Sequence, residues 1–378
     1  MYKHCPNLAF WVNILKYIVI ILSMKILVLG SKEYPFGSGI IEEDPFPSGG
    51  IELYVDNLLK NIGDIEFTVI TRKFSNLQER EKINNIEIIR LPFFKGFYLR
   101  NPSFNFFSFI KSLRQHFDII VSNDDIANFI GLIISKLKRK PIIMVCHGLP
   151  SEQPQYNFII RFLFKVIEKA TYPHSSANIT HSPQQLSKIT KKYDAVFPGF
   201  DRTRTKTIPS REKKSLRKKY NLENKKIIVF VGRLIKVKGV EYLLKSLKHI
   251  KQPYACLIVG DGPQKKEYLK LASDLNVNAI FTGHKKNVNK FLSIADVFLM
   301  PSMSESLSYS LLEAASMGLP IIVTDLGIIS QNSAVIIKKR DERAIADAIN
   351  KIFQDKRLAD KIGKNAKIFS SKFNWGSA

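Results

Sequence analysis

The chain has little of what several protein classes require. Its three cysteines, Cys5, Cys146 and Cys256, lie far apart in 378 residues, which excludes a disulfide framework and any cysteine-based metal spacing and suits a reducing compartment. Acidic residues are scarce: 33 Asp and Glu against 58 Lys and Arg leave a formal charge of +25. Such an excess favours anionic partners, namely nucleotide diphosphates, acidic lipid surfaces or nucleic acid. Nucleic acid has no further support, since zinc-finger spacing, an RNP-like aromatic motif and an isolated basic arm are all missing, and none is expected as a partner. A spanning helix needs roughly 20 apolar residues. Leu8–Leu22 is shorter and is interrupted by Asn13 and Lys16. No tight Gly-x-Gly-x-x-Gly follows the first strand, which counts against a dinucleotide-binding oxidoreductase.

What is present is a long alternation of strand and helix signals. A chain of this length suggests two domains, and 45% hydrophobic residues is ordinary for a soluble globular protein. Met24–Gly30 reads as a first buried strand starting immediately after Ser23. Residues 1–23 are therefore read as an extension upstream of a natural start at Met24, with a signal anchor as the alternative. Further strands are expected at Glu66–Thr71, Ile86–Leu91, Ile119–Ser122 and Ile142–Cys146, and an amphipathic helix at Ile51–Ile62. Residues 24–200 form the expected first domain and 226–378 the second. Between them, Arg202–Lys219 carries nine Lys or Arg against one acid, Glu212, and reads as a basic linker (201–225) entering a solvated helix. Pro92–Phe117, rich in Phe and Tyr, is either packed core or an apolar wall for an acceptor or membrane. Asp124 and Asp125 sit where an N-cap is commoner than a metal pair.

The rest is organised around Ala295–Asp325, ADVFLMPSMSESLSYSLLEAASMGLPIIVTD, a strand-loop-helix-strand unit. Ligands in parallel α/β sheets bind beyond the carboxyl ends of strands, where this loop lies. Glu305 there can accept hydrogen bonds from sugar hydroxyls, and Glu313, two turns on, can hold a second polyol. The second domain opens with the strand Lys226–Val231, followed by Gly232-Arg233-Leu234 and Lys238-Gly239. Two cations in such a loop, beside a helix start, make a diphosphate site. After the first strand, Gly49-Gly50 opens a helix whose backbone amides can approach an anion. His147-Gly148 follows the strand Ile142–Cys146, where a histidine can hydrogen-bond a sugar or an acceptor hydroxyl. A cap or a plain surface residue is the competing reading for each of these positions taken alone.

In order along the chain these motifs resemble the family 4 (group 1) retaining glycosyltransferases. The similarity runs from Met24 almost to the C-terminus and includes Gly260-Asp261-Gly262-Pro263, the Phe281–Gly283 loop and Ala195–Asp201, AVFPGFD. It implies an α/β protein of GT-B fold, two Rossmann-like domains with parallel sheets facing each other across a cleft. The donor would be a nucleotide diphosphate sugar, with no cofactor and no metal. By the resemblance, Arg233 and Lys238 neutralise the departing diphosphate, Glu305 and Glu313 hold the sugar and the ribose, and Gly283 borders the base. Gly49 and Gly50 face the diphosphate, and His147 assists at the reacting sugar. Ser306, Leu307 and Ser308 complete the donor loop. The family places glycine where Ser306 and Ser308 stand, so a changed donor preference is expected. The loop after Asp325 is compressed, and the final helix that usually follows an F-x-W turn like Phe373–Trp375 is expected to be missing. The implied acceptor is a sugar, polysaccharide or lipid-linked hydroxyl, reached from the cytoplasm or the inner membrane face by peripheral association with acidic lipid. A non-catalytic relative and a nucleotide-sugar epimerase of the same fold remain open.

Overall fold

The computed structural model describes residues 24–35, 49–63, 65–74, 77–94, 99–153, 156–181, 183–195, 199–200, 205–285, 287–305 and 308–373. Residues 1–23, Ser306, Leu307 and the Trp375 turn lie outside them. The chain divides into two compact units, one of Met1–Ser151 with Phe158–Val196 and one of Glu152–Asn157 with Phe197–Ala378.

The first unit is built on β1 (Lys25–Leu29), β2 (Glu66–Arg72), β3 (Arg80–Ile83), β4 (Ile86–Leu91), β5 (Ile119–Ser122), β6 (Ile142–Cys146), β7 (Ala177–Thr180) and β8 (Asp194–Ala195). They form one sheet in the order β3-β4-β2-β1-β5-β6-β7-β8. All neighbours are parallel except β3, which pairs antiparallel with β4 around a turn in which Asn84 takes a positive φ. Sequence reading finds the buried strands, whose Ile and Val runs suit a sheet covered on both faces. It overlooks β3, a half-exposed edge strand with two basic residues and one acidic residue in four. Helices α1 (Gly50–Asn61), α2 (Arg100–Leu113), α3 (Asp125–Lys138) and α4 (Phe158–Thr171) cover this sheet with the short α5 (Pro183–Leu186). Asp124 caps α3, its Oδ1 accepting from the Ile126 amide at 3.0 Å. Among the described residues no group of His, Cys, Asp or Glu could hold a metal ion.

The second unit carries six parallel strands: β9 (Lys226–Val231), β10 (Tyr254–Val259), β11 (Ala279–Gly283), β12 (Val297–Met300), β13 (Ile321–Thr324) and β14 (Val335–Ile337), in the order β11-β10-β9-β12-β13-β14. Alternation along β9 sends Ile228 and Phe230 into one core and Ile227 and Val229 into another, so the sheet is buried on both sides. Its helices are α6 (Ser210–Lys219), α7 (Val240–Ser246), α8 (Lys265–Asp274), α9 (Asn289–Leu292), α10 (Tyr309–Ser316), α11 (Glu342–Gln354) and α12 (Lys356–Ser370). α6 is the solvated basic helix of the sequence. Asp341 and Asp355 cap α11 and α12 by accepting from Ala344 and Leu358 amides. No helix among the described residues is long and apolar enough to cross a membrane.

Candidate active site

In the second unit β9 pairs with β10 on one side and with β12 on the other. This is the point at which strand order reverses, and a crevice opens beyond the carboxyl ends of such neighbours. The loops leaving β9 and β12 carry the sequence's two strongest signals, Arg233 with Lys238 and Glu305.

These loops are held together by backbone. Met303 N–H donates to Val237 O at 2.7 Å. Gly239, at φ +68°, passes so close to the β12 loop that a Cβ there would stand 2.1 Å from Pro301 O. Only glycine satisfies both the positive φ and the contact. The turn it permits aims Lys238 across to the neighbouring loop, where Nζ donates to Glu305 Oε2. The pair is largely shielded, with side chains 20% and 15% exposed. Arg233 stands half-buried on the same loop as Lys238, anchored by fully buried Leu234, whose amide donates to Asp261 O at 2.9 Å.

The β9 and β10 loops also lie back to back. A Cβ on Gly260 would fall 1.9 Å from Gly232 O, so the GDGP turn presses directly on the Arg233 loop. Gly260 and Gly283 form a bridge, which sets the Gly283 loop beside that turn. Asp261 accepts from Lys265 Nζ at 2.7 Å and from Gly262 N–H at 2.9 Å. Burial would raise its carboxyl, but these bonds and the Lys265 charge hold it below the usual carboxylate range. Beyond Glu305, Ser308 is buried at the start of α10 with its hydroxyl 2.8 Å from that of Ser310, and Glu313 lies half-buried in the same helix.

In the first unit, β1 and β5 are the neighbours at the reversal point. Asn123, just past β5, donates from Nδ2 to Leu29 O at 3.2 Å, which turns its Oδ1 toward His147 Nε2 at 3.5 Å. The neutral tautomer that fits this oxygen carries its proton on Nε2 and has Nδ1 as its acceptor. Burial, and then the neighbouring His181 ring 5.1 Å away, hold His147 well below its usual pKa, so it is neutral at pH 7. Tyr54 packs edge-on against both rings at 5.0 and 4.9 Å. Sequence reading singled out His147 but missed His181 and Tyr54. His181 directly follows β7, one strand over, and its strand-end position was the available signal.

Gly49 and Gly50 open α1 as expected, but a carboxylate is already there. Glu52, buried, accepts from Gly49 N–H at 2.8 Å and from Lys32 N–H at 3.3 Å. Burial works against its charge, yet Lys32 and the backbone amides together lower its pKa. Glu52 at the third helical position after Gly49 is a capping-box spacing that was legible in the sequence and overlooked. The structure thus brings Lys238 and Glu305 together, with Arg233 on the adjoining turn, and places His147, Gly49 and Gly50 in the other unit.

Comparison with known proteins gives two family matches that adjoin one another. Residues 212–369 match "Glycosyl transferases group 1" and residues 48–210 match "Glycosyltransferase Family 4". An uncharacterized glycosyltransferase of Methanocaldococcus jannaschii is 27% identical over 86% of this chain and 92% of its own. Sucrose-phosphate synthase from Thermosynechococcus elongatus superimposes with a TM-score of 0.75 at 22% identity, over 94% of this chain and 96% of that one. Anabaena HepE, solved in complex with UDP-glucose, gives a TM-score of 0.74 at 19% identity, over 93% and 96%.

Proposed function

The chain belongs to the group 1, family 4 glycosyltransferases, and from that premise we propose that it moves a hexosyl unit from a nucleotide diphosphate sugar to an acceptor hydroxyl with retention at the anomeric carbon. It is a transferase enzyme of GT-B fold. The observation that carries the finer reading is the Lys238–Glu305 pair at the reversal point of the second sheet, with Arg233 on the adjoining turn. A cation and a carboxylate held in contact there are preorganised for a ligand with an anionic and a hydroxylated end. In the proposed complex Lys238 and Arg233 take the diphosphate, Glu305 the sugar hydroxyls and Glu313 the ribose. Gly283 borders the base and Ser308 lies in the donor loop, whereas the Gly49 amide expected at the diphosphate is already taken by Glu52.

The bond between the anomeric carbon and the diphosphate oxygen breaks while the acceptor oxygen bonds to the same face of that carbon. The acceptor proton passes to the leaving phosphate oxygen. Negative charge grows on the diphosphate as the bond lengthens, which is where fixed cations lower the barrier. A neutral His147 contributes a hydrogen-bond acceptor at the reacting sugar without adding charge. The relative solved with UDP-glucose makes that donor the first to test. The proposed acceptor is a sugar, polysaccharide or lipid-linked hydroxyl at the inner membrane face, a reading supported by the charge of +25.

Thermal stabilisation by a panel of nucleotides and nucleotide sugars, without divalent metal, tests donor binding. A shift confined to one diphosphate family and lost in Arg233→Ala is expected. Wild-type turnover in both Arg233→Ala and Lys238→Ala would sink the assignment.

A further inference from the structure

The first unit presents an apolar face that its own fold does not cover. α4 is the extreme case: Phe158 is 81% and Ile159 68% exposed, and Phe162, Leu163 and Val166 are each more than half exposed. Their spacing keeps them on one side of the helix. The helix is nevertheless well anchored. Glu168 and Thr171 in its last turns are buried, and Glu168 Oε1 accepts from the Ser151 amide at 2.9 Å. Near its start, Arg161 Nε donates to Ser151 O at 2.9 Å.

The neighbouring helices extend the feature. α3 packs between α2 and α4. It exposes Phe129, Ile133 and Leu137 at intervals of four, and α2 exposes Phe106 and Ile110 with the same spacing. Three adjacent helices thus show water a row of large apolar side chains each, more than a monomer scatters over its surface by chance.

The charges on this face have one sign. Arg161, Lys165 and Lys169 recur every four residues on α4 and are exposed, and the one acid of that helix, Glu168, is buried. Exposed Lys136 and Arg139 end α3. A helix with Phe, Ile and Leu on one side and only Lys and Arg beside them has the chemistry of an element lying in the plane of a bilayer surface. At 14 residues α4 is too short to span one.

We infer that the α2–α3–α4 face docks on an anionic lipid bilayer, with the apolar side chains of α4 entering the headgroup boundary and Lys165 and Lys169 meeting lipid phosphates. This deepens the membrane-side reading given above and stands apart from the donor chemistry, because vesicle binding is read with no nucleotide sugar present. The surface also differs from the Phe- and Tyr-rich stretch 92–117 that the sequence pointed to: only the α2 part belongs to it, and α4 dominates.

The test is sedimentation of the full chain with phosphatidylcholine vesicles, with and without phosphatidylglycerol. Binding is expected to require the anionic lipid and to weaken as salt is raised. Lys165→Ser with Lys169→Ser should lower it by about thirtyfold, two basic contacts' worth. Phe158→Ser with Phe162→Ser should lower it by at least about tenfold, with unchanged circular dichroism and unchanged nucleotide stabilisation. Three results overturn the inference. One is equal binding by the Phe variant. Another is a lipid-free dimer that the Phe substitutions dissolve, which assigns the face to a second copy. The third is vesicle binding abolished by deleting residues 1–23 yet indifferent to the α4 substitutions, which assigns it to the apolar stretch Leu8–Leu22.

Discussion

Replacing Lys238 by Met and Glu305 by Gln, singly and together, separates what their pairing does for stability from what each does for transfer. For a contact ion pair at an effective dielectric of about 20 the bare attraction is about 5 kcal/mol, and desolvation of both groups offsets much of it. The pair is shielded but not sealed, at 20% and 15% exposure. Losing one partner should therefore cost on the order of 2 kcal/mol, between exposed pairs at under about 1 and fully buried ones at about 3–5. The double variant removes both charges and should be less destabilised than the sum, with a coupling of about 1–2 kcal/mol by chemical denaturation. Binding gives a sharper result. A diphosphate claims Lys238 only by displacing Glu305, so Glu305→Gln should bind UDP several-fold tighter while turning over UDP-glucose more slowly. Lys238→Met should lose UDP affinity and about a hundredfold or more in kcat. Opposite signs for binding and turnover in one variant do not arise from partial unfolding. A coupling within about 0.3 kcal/mol of zero, or unchanged turnover in Lys238→Met, would refute the reasoning.

Gly239→Ala should destabilise the second unit by on the order of 2–3 kcal/mol, combining positive φ with the Pro301 clash, and calorimetry will show it. Asp125, whose carboxyl accepts from Tyr172 Oη at 2.9 Å, is pushed well above the usual carboxylate range, first by burial and then by Asp124. Its folded pKa is raised, so stability falls as pH rises from the ordinary Asp value. Asp125→Asn, a neutral isostere, should raise Tm at pH 8 more than at pH 4; a lower Tm at pH 8 would contradict the burial argument. Glu52 has the opposite sign. Its lowered pKa gives stability that is present above the ordinary Glu range and lost as pH falls through the folded value. Glu52→Gln should therefore unfold more easily at pH 7, with the difference from wild type closing in acid denaturation curves.

The strands of both sheets were legible because parallel strands buried on two faces read as runs of Ile, Val and Leu bounded by Gly, Pro and Asp. β12, β13 and β14 fall at Val297–Met300, Ile321–Thr324 and Val335–Ile337, where those runs stand. The edge strand β3 was not legible, since Arg80-Glu81-Lys82-Ile83 carries three charged residues in four and makes no apolar run. At the site, Lys238 and Glu305 could be singled out one at a time, but not their contact, which depends on β9 and β12 being neighbours although 65 residues separate Val231 from Val297. His181 escaped for the same reason. Its meaning comes from β6 and β7 lying side by side, a fact of topology rather than of spacing. The exposure of α4 was not legible either: sequence reading did not single out Phe158–Thr171, and only packing reveals that its apolar side faces water.

The two units distribute charge in a way that bears on the proposed reaction. In the second unit the glycine contacts at Gly239 and Gly260 crowd three loops together, bringing Lys238 to Glu305 and Arg233 against the GDGP turn. Backbone contacts fix the loops that carry the cations, so once the diphosphate has displaced Glu305 from Lys238 little further reorganisation is needed as the leaving group gains charge. In the first unit, burial and a second imidazole keep His147 uncharged, and Glu52 puts a carboxylate under the Gly49 turn. That unit offers hydrogen bonds where the second offers positive charge. In the proposed reaction a neutral His147 accepts a hydroxyl without adding a further positive charge at the sugar. Placing a positive charge there with His147→Lys should therefore depress kcat more than His147→Gln, which keeps an acceptor. If the lysine variant were the faster of the two in UDP-glucose turnover, the division of roles between the units would be wrong.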